Sequence, residues 1–251
     1  MCWPPAQAEL KTLRIGTGDW APYVEQGRTD GGALARLVRA VFAESGYAVE
    51  FVFYPWDRNV LMLQRGALHA IMPYNCSPSR LDYGVCSDPL VRGEVVFFHH
   101  RDLAFDWQDI DDLQPYRIGT TLGYSYGSVF DEAMQLERLQ VEQSSREDVS
   151  FRLLELKRID LHPQDRAVGY AMLRRQFPGG EITHHPRRLN REPLRLLFRK
   201  DDRQNAQLLR QFNAGLRRFV ENGDLERLQQ ALNTGNADDW QPTIPSQALR
   251  D

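Results

Sequence analysis

Thr12-Leu13-Arg14-Ile15-Gly16-Thr17 is a short β-like run closed by Gly18-Asp19, and the residues after it decide the fold class. Residues 33–43 carry Leu34, Leu37, Val38, Val41 and Phe42 at helical spacing, and Gly46 stops that helix. An alternating strand follows over 49–53. A helix begins near Trp56 with Val60, Leu61 and Leu63 on one side, and an apolar strand covers 68–72. Strand, helix, strand, helix, strand is the order of a parallel sheet covered by helices.

Working outward, the alternation restarts after Asp88-Pro89 with an apolar strand at 94–98 and a strand at 117–120. Helices are predicted over 129–139 and 146–156, then a strand at 158–162 and a helix at 165–176. Pro178-Gly179-Gly180 breaks the chain before a short strand at 182–183. Another strand at 194–198 precedes two helices. The first, 204–220, shows Leu208, Leu209, Phe212 and Leu216 on one face, and the second, 224–232, follows Asn222-Gly223. Residues from 236 onward, with Asp238, Asp239, Pro242 and Pro245, read as a solvated tail. No repeat of solenoid type is present.

The 251 residues, 42% hydrophobic and 26% charged, suit a folded chain of one large or two modest domains. With 31 basic and 34 acidic residues the net charge is -3, so no strong field favours nucleic acid or an anionic membrane over small solutes. No apolar run approaches the roughly 20 residues of a membrane span. The opening Met1-Cys2-Trp3-Pro4-Pro5-Ala6-Gln7-Ala8 lacks a positive region and a full apolar region, yet Ala6-Gln7-Ala8 has the small-x-small form that precedes signal cleavage. Residues 1–8 therefore read as the remnant of an export signal or as a disordered start. Of the three cysteines, Cys76 and Cys86 are candidates for a bridge in an oxidising compartment, against two buried free thiols. None has the pairing with histidines that zinc requires, and His99-His100 and His184-His185 point to opposite faces of strand-like stretches. No metal or cofactor is expected.

Asn75-Cys76-Ser77-Pro78-Ser79-Arg80 carries the most chemistry, because it leaves the strand at 68–72 where ligands of α/β sheets bind. The planar guanidinium of Arg80 matches a carboxylate with two parallel hydrogen bonds, and Asn75 and Ser77 are placed to add neutral ones. The alternative is that Arg80 pairs with Asp82 or Asp88. Trp20, Tyr23, Trp56 and Tyr74 also follow strand ends and would gather at the same sheet edge, as the walls of a small-molecule cleft or as lobe packing. In the second unit, Leu122-Gly123-Tyr124-Ser125 is expected to open a helix whose free N–H groups seat an anion, with Ser125 as cap. Asp165 begins a helix and either receives a ligand ammonium or caps that helix. No Gly-x-Ser-x-Gly elbow, phosphate loop or His-Glu-x-x-His helix occurs.

The order Leu13-Arg14-Ile15-Gly16-Thr17, Trp20-Ala21-Pro22-Tyr23, Ser77-Pro78-Ser79-Arg80, Ser87-Asp88-Pro89, Gly123-Tyr124-Ser125 and Arg158-Ile159-Asp160 with Asp165 resembles the bacterial extracellular solute-binding proteins of family 3 over about residues 10–235. That resemblance implies a two-lobed type II periplasmic-binding-protein fold. Each lobe is a mostly parallel α/β sheet flanked by helices, and two hinge strands near 90–94 and 191–196 join them. Lobe 1 would comprise 9–91 plus 195–235, lobe 2 would comprise 92–194, and 236–251 would form the tail. It further implies that Arg80 takes a ligand carboxylate, that Asn75 assists, that Ser125 contributes from lobe 2, that Asp165 takes an ammonium and that Trp20 covers the ligand. Pro73 stands where a small residue usually lends its backbone, His69 replaces a common acidic residue, and Arg166 beside Asp165 is placed to neutralise it.

The leading expectation is a monomeric periplasmic receptor for an amino acid or other small carboxylate, partnered with an ABC permease. A membrane receptor is the alternative partner, with closure reporting to a kinase or cyclase. An enzyme on the same scaffold is the third class, with Asp19, Asp165 and His69 as its acid–base candidates; Asp19 is also a candidate ligand contact.

Overall fold

The computed structural model describes residues 11–243; the export-signal reading of residues 1–8 and Cys2 lie outside the described residues. The first unit is β1 (Lys11–Thr17), α1 (Ala33–Ala43), β2 (Tyr47–Phe53), α2 (Trp56–Gln64) and β3 (Ala70–Tyr74), with β1 parallel to both β2 and β3. The spacing that predicts α1 is the spacing that buries it. Leu34, Leu37, Val38 and Val41 are all 0% exposed, in one cluster with Phe212, Leu216 and Phe219. Each such side chain contributes about 1.5–3 kcal/mol on burial.

The chain continues through α3 (Pro78–Leu81), β4 (Gly84–Cys86) and β5 (Val91–His100). A second parallel unit follows: β6 (Arg117–Thr121), α4 (Ser128–Gln135), β7 (Gln140–Ser144), α5 (Glu147–Glu155), β8 (Leu161–Asp165) and α6 (Arg166–Gln176). Last come β9 (Ile182–Arg199), α7 (Arg203–Glu221) and α8 (Asp224–Thr234). Strand order is β2-β1-β3-β9-β5-β8-β6-β7, with β4 also on β9. The fold is a two-lobed α/β architecture. One lobe is packed around α1, α7 and α8, and the other has clusters centred on Phe97 and Phe98. Adjacent strand residues face opposite sides, which is why these two phenylalanines serve separate clusters. The lobes are joined where β5 crosses β9, with Val91 opposite Leu194, Gly93 opposite Glu192 and Val95 opposite Asn190.

Four local expectations are corrected. The two strands expected at 182–183 and 194–198 are one 18-residue strand, β9. Its polar middle shows no period, but pairing with β5 occupies the backbone there. The strand β7 was not predicted, because Gln140–Ser144 is a polar edge strand paired only with β6. The helix expected over 129–139 ends at Gln135, where Glu137 turns to a φ of 54°. The solvated tail is instead docked as far as residue 243: Ala237 and Trp240 are buried, Arg36 Nη2 donates to the Ala237 carbonyl at 2.6 Å, and Asp224 accepts from the Thr243 N–H at 3.1 Å. Apolar burial at two positions outweighs a polar local composition.

Candidate ligand-binding cleft

In each lobe strand order reverses at one place, between β1 and β3 and between β6 and β8, and segments leaving those strand ends line a shared crevice. The crevice holds a cavity of about 100 Å³. Trp20, Trp56, Tyr74 and Arg80 line it from the first lobe, and Tyr124, Ser125, Gln164 and Asp165 from the second. Gly93, Asn190 and Glu192 line it from the β5–β9 crossing. At roughly 10–15 Å³ per water-sized group, that is space for about seven to ten such groups, the scale of one small organic acid.

Arg80 sits in the last turn of α3, with its guanidinium 4.9 Å from the centre of the Tyr74 ring. Its Nη1 donates to the Asn75 carbonyl at 3.3 Å and to the Asn75 side-chain oxygen. No ion pair of Arg80 with Asp82, Asp88 or any other carboxylate forms among the described residues. Asn75 Nδ2 in turn donates to Glu192 Oε2 at 2.6 Å, so one amide bridges the cation and an anion of the cavity.

The aromatic residues assemble around Trp56. Its ring centre is 6.1 Å from Trp20, 5.6 Å from Tyr74 and 6.3 Å from Tyr124 across the cleft, all edge-on. Edge-to-face contact at these distances is favourable, so the wall is pre-formed. Gly18 makes room for it: a Cβ there would lie 2.6 Å from Trp56 Cε2. Trp20 Nε1 and Tyr124 Oη are buried without a hydrogen-bond partner among protein groups. Tyr23 is not in the wall. It lies behind Trp20, stacked at 4.7 Å, and its hydroxyl donates to Asp165 Oδ1 at 3.1 Å.

Asp165 ends β8 and caps α6, accepting from the N–H groups of Ala167 and Val168 at 3.0 and 3.2 Å. The Glu94 N–H donates to it at 3.0 Å, and with Tyr23 four protein donors meet a carboxylate that has about four lone-pair sites. Burial pushes its carboxyl up to about 6 despite those donors. Arg166 does not neutralise it, pairing with Glu94 at 3.1 Å instead.

Other expected positions fall elsewhere. No helix opens at Leu122-Gly123-Tyr124-Ser125, because α4 begins at Ser128 after Gly127 at φ 111°. Ser125 Oγ donates to Asp131 Oδ2 at 2.6 Å, so that carboxylate occupies the region expected to seat an anion. Ser77 is outside the cavity lining, bonded to Ser79 at 3.0 Å. Asp19 is exposed and accepts from the Gln26 N–H at 3.2 Å. His69 accepts from the Arg14 N–H at 3.0 Å, at the end of β3 away from the cleft. Cys76 and Cys86 are joined by a disulfide with Cα atoms 6.5 Å apart.

Glu192, Asn190, Gln164 and Tyr126 are cavity residues that periodicity does not reveal. The only cue is a polar Asn190-Arg191-Glu192 run between two strand-like stretches. Beside them Glu147, half-buried at the start of α5, accepts from Gln164 Nε2 at 3.2 Å. Burial, with Asp19 and Asp165 nearby, pushes its carboxyl up to about 8. Among the described residues no group of three or more His, Cys, Asp or Glu is placed to hold a metal ion.

The sequence signature of the bacterial extracellular solute-binding proteins, family 3, matches residues 13–233. The chain belongs to that family. Solved structures with the same fold as this solute-binding protein include an arginine-binding protein from T. maritima, at 19% identity and TM-score 0.74, covering 89% of this chain and 95% of that one. The GluR0 ligand-binding core in complex with L-glutamate matches at 15% identity and TM-score 0.77, covering 90% and 99%. A histidine kinase sensor domain matches at 19% identity and TM-score 0.76, covering 89% and 96%. No curated protein matches the chain by sequence. No helix among the described residues is long and apolar enough to cross a membrane.

Proposed function

We propose that this solute-binding protein traps one small carboxylate-bearing molecule, in the first instance a polar amino acid, in the periplasm and delivers it to an ABC importer without chemical change. The observation that supports this reading most directly is Arg80, a cation without a carboxylate partner at an aromatic-walled cavity of amino-acid scale. Arg80 holds the carboxylate, Trp20 and Tyr124 supply their buried donors, and Trp56 and Tyr74 pack on the ligand body. Asp165 is committed to four protein donors, so Glu192 is the acceptor with more capacity for an ammonium. Contacts from both lobes favour the closed arrangement, which the membrane partner recognises.

A second reading, a sensor module reporting closure to a membrane receptor, is favoured by the histidine kinase sensor domain among the structural neighbours. A thermal-shift screen of amino acids, polyamines and small organic acids tests the binding reading. A true ligand at 100 times its dissociation constant adds about 2.7 kcal/mol of stability. If only polyamines shift the transition, the carboxylate reading fails. Vesicle uptake with the cognate permease, against activation of a receptor kinase, separates import from sensing.

A further inference from the structure

A second cavity, of about 310 Å³, lies on the other face of the β5–β9 crossing. Residues of β5 alternate between the two: Gly93 and Val95 line the aromatic cleft, while Arg92 and Glu94 line the rear cavity. Its walls come from both lobes. Residues 232–235, at the end of α8, stand on one side, and α6 stands on the other.

Helix α6 presents Arg166, Tyr170 and Arg174 to this space, a four-residue spacing that puts all three along one helix face. With Arg92, three arginines line the cavity, Arg92 and Arg174 at its exposed rim. The acidic groups facing them are already committed. Glu94 pairs with Arg166 at 3.1 Å and with Arg188 at 3.4 Å, and Asp165 accepts four protein donors. His184 is bonded to the Tyr170 hydroxyl at 2.6 Å, and burial followed by the Arg166 charge lowers its ring from the usual histidine value. Arg92 and Arg174 therefore remain as two positive charges whose guanidinium groups bond no carboxylate among the described residues. Guanidinium forks match the paired oxygens of carboxylates and phosphates, and two of them at one cavity select a ligand with more than one negative charge.

We propose that the rear cavity between α6 and the end of α8 is a second binding site, for a small multiply charged oxyanion held by Arg92 and Arg174. Asp165 lines both cavities, so the rear site abuts the aromatic cleft through one side chain without sharing its ligand.

Calorimetric titration of the protein with inorganic phosphate and with citrate, in a low-salt buffer free of other oxyanions, tests the site. We expect one-to-one binding of at least one of them, with a dissociation constant on the order of 1 mM or tighter. That binding should weaken as sodium chloride is raised. The double variant Arg92→Gln/Arg174→Gln should bind at least tenfold more weakly, and Arg80→Gln, in the other cavity, should leave phosphate binding within twofold of wild type. Binding by phosphate alone would assign a tetrahedral anion, and binding by citrate alone a polycarboxylate. Asn233→Asp, which adds a carboxylate at the cavity and leaves both arginines in place, should weaken binding likewise if the double variant fails to fold. No saturable binding of either anion, full binding by the double variant, or loss of phosphate binding in Arg80→Gln would overturn the proposal.

Discussion

Arg80 and Glu192 divide the electrostatics of the cleft between them. The guanidinium is held over Tyr74 by the Asn75 carbonyl, and Asn75 passes its amide hydrogen to Glu192. Arg80→Ala should weaken binding of a carboxylate ligand by about two orders of magnitude or more, about 2.7 kcal/mol, with the melting transition of the free protein little changed. Arg80→Lys should recover only part of that, because a point charge lacks the fork geometry. Calorimetry with the ligand found by screening checks both, and an effect within threefold would remove Arg80 as the anchor. Glu192→Gln keeps the bond from Asn75 possible through its side-chain oxygen but removes the negative charge. It should reduce affinity for an amino acid at least tenfold while leaving affinity for the corresponding deaminated acid nearly unchanged. Equal losses for both ligands would return the ammonium to Asp165.

At the scale of elements, α3 and α6 are fixed by devices of different reach. The short connection carrying α3 is pinned by the Cys76–Cys86 disulfide, which closes a loop of separation 10. Replacing both cysteines by serine should cost about 2–3 kcal/mol in urea denaturation and also lower ligand affinity, since Arg80 lies inside that loop. Helix α6 is pinned by Asp165, which caps it and also receives Tyr23 from the first lobe. Asp165→Ala removes a cap worth about 1 kcal/mol and strands a buried phenol at a further cost of about 1–3 kcal/mol. Tyr23→Phe should recover part of the loss in the double variant, because no hydroxyl is then left unpaired, and denaturation of the four-member cycle measures the coupling.

For the whole molecule, half-buried Glu147 and buried Asp165 set a pH dependence. Glu147 is pushed up to about 8 and Asp165 to about 6, against values near 4 in an unfolded chain. From about pH 4 to pH 8 the folded state therefore holds more protons at these sites than the unfolded state, and their contribution to stability falls as pH rises. Burial of His162 acts in the opposite direction, lowering its ring to about 4 and costing stability as pH falls through the histidine range. The informative quantity is thus a difference between variants. Glu147→Gln should gain stability relative to wild type as pH rises from 5 to 9, and denaturation midpoints across that range measure it. A difference independent of pH would mean that Glu147 titrates as an ordinary exposed carboxyl. Two contacts cross between the lobes beside Asp165, Tyr23 with Asp165 and Arg175 with Glu25 at 3.6 Å.

The sequence by itself determined the α/β class, the main helices and the strand ends at which Trp20, Trp56, Tyr74 and Arg80 stand. These follow from periodicities of 3.6 and 2 and from punctuation by Gly and Pro, all local in the chain. Family resemblance supplied the two-lobed arrangement, because no local period says that a second parallel unit turns to face the first. Only the tertiary structure decided that Asn75 is shared between Arg80 and Glu192, the latter 117 residues from Asn75 in the chain. It alone decided that Asp165 is filled by its neighbours, that Ser125 answers Asp131, and that Trp240 is core. The bond from Asn75 to Glu192 and the filling of Asp165 by Tyr23 and the Glu94 N–H join residues far apart in the chain, and they depend on how β9 and β8 are set against β5. A register is set by the burial of whole lobes, and no residue window along the chain contains it.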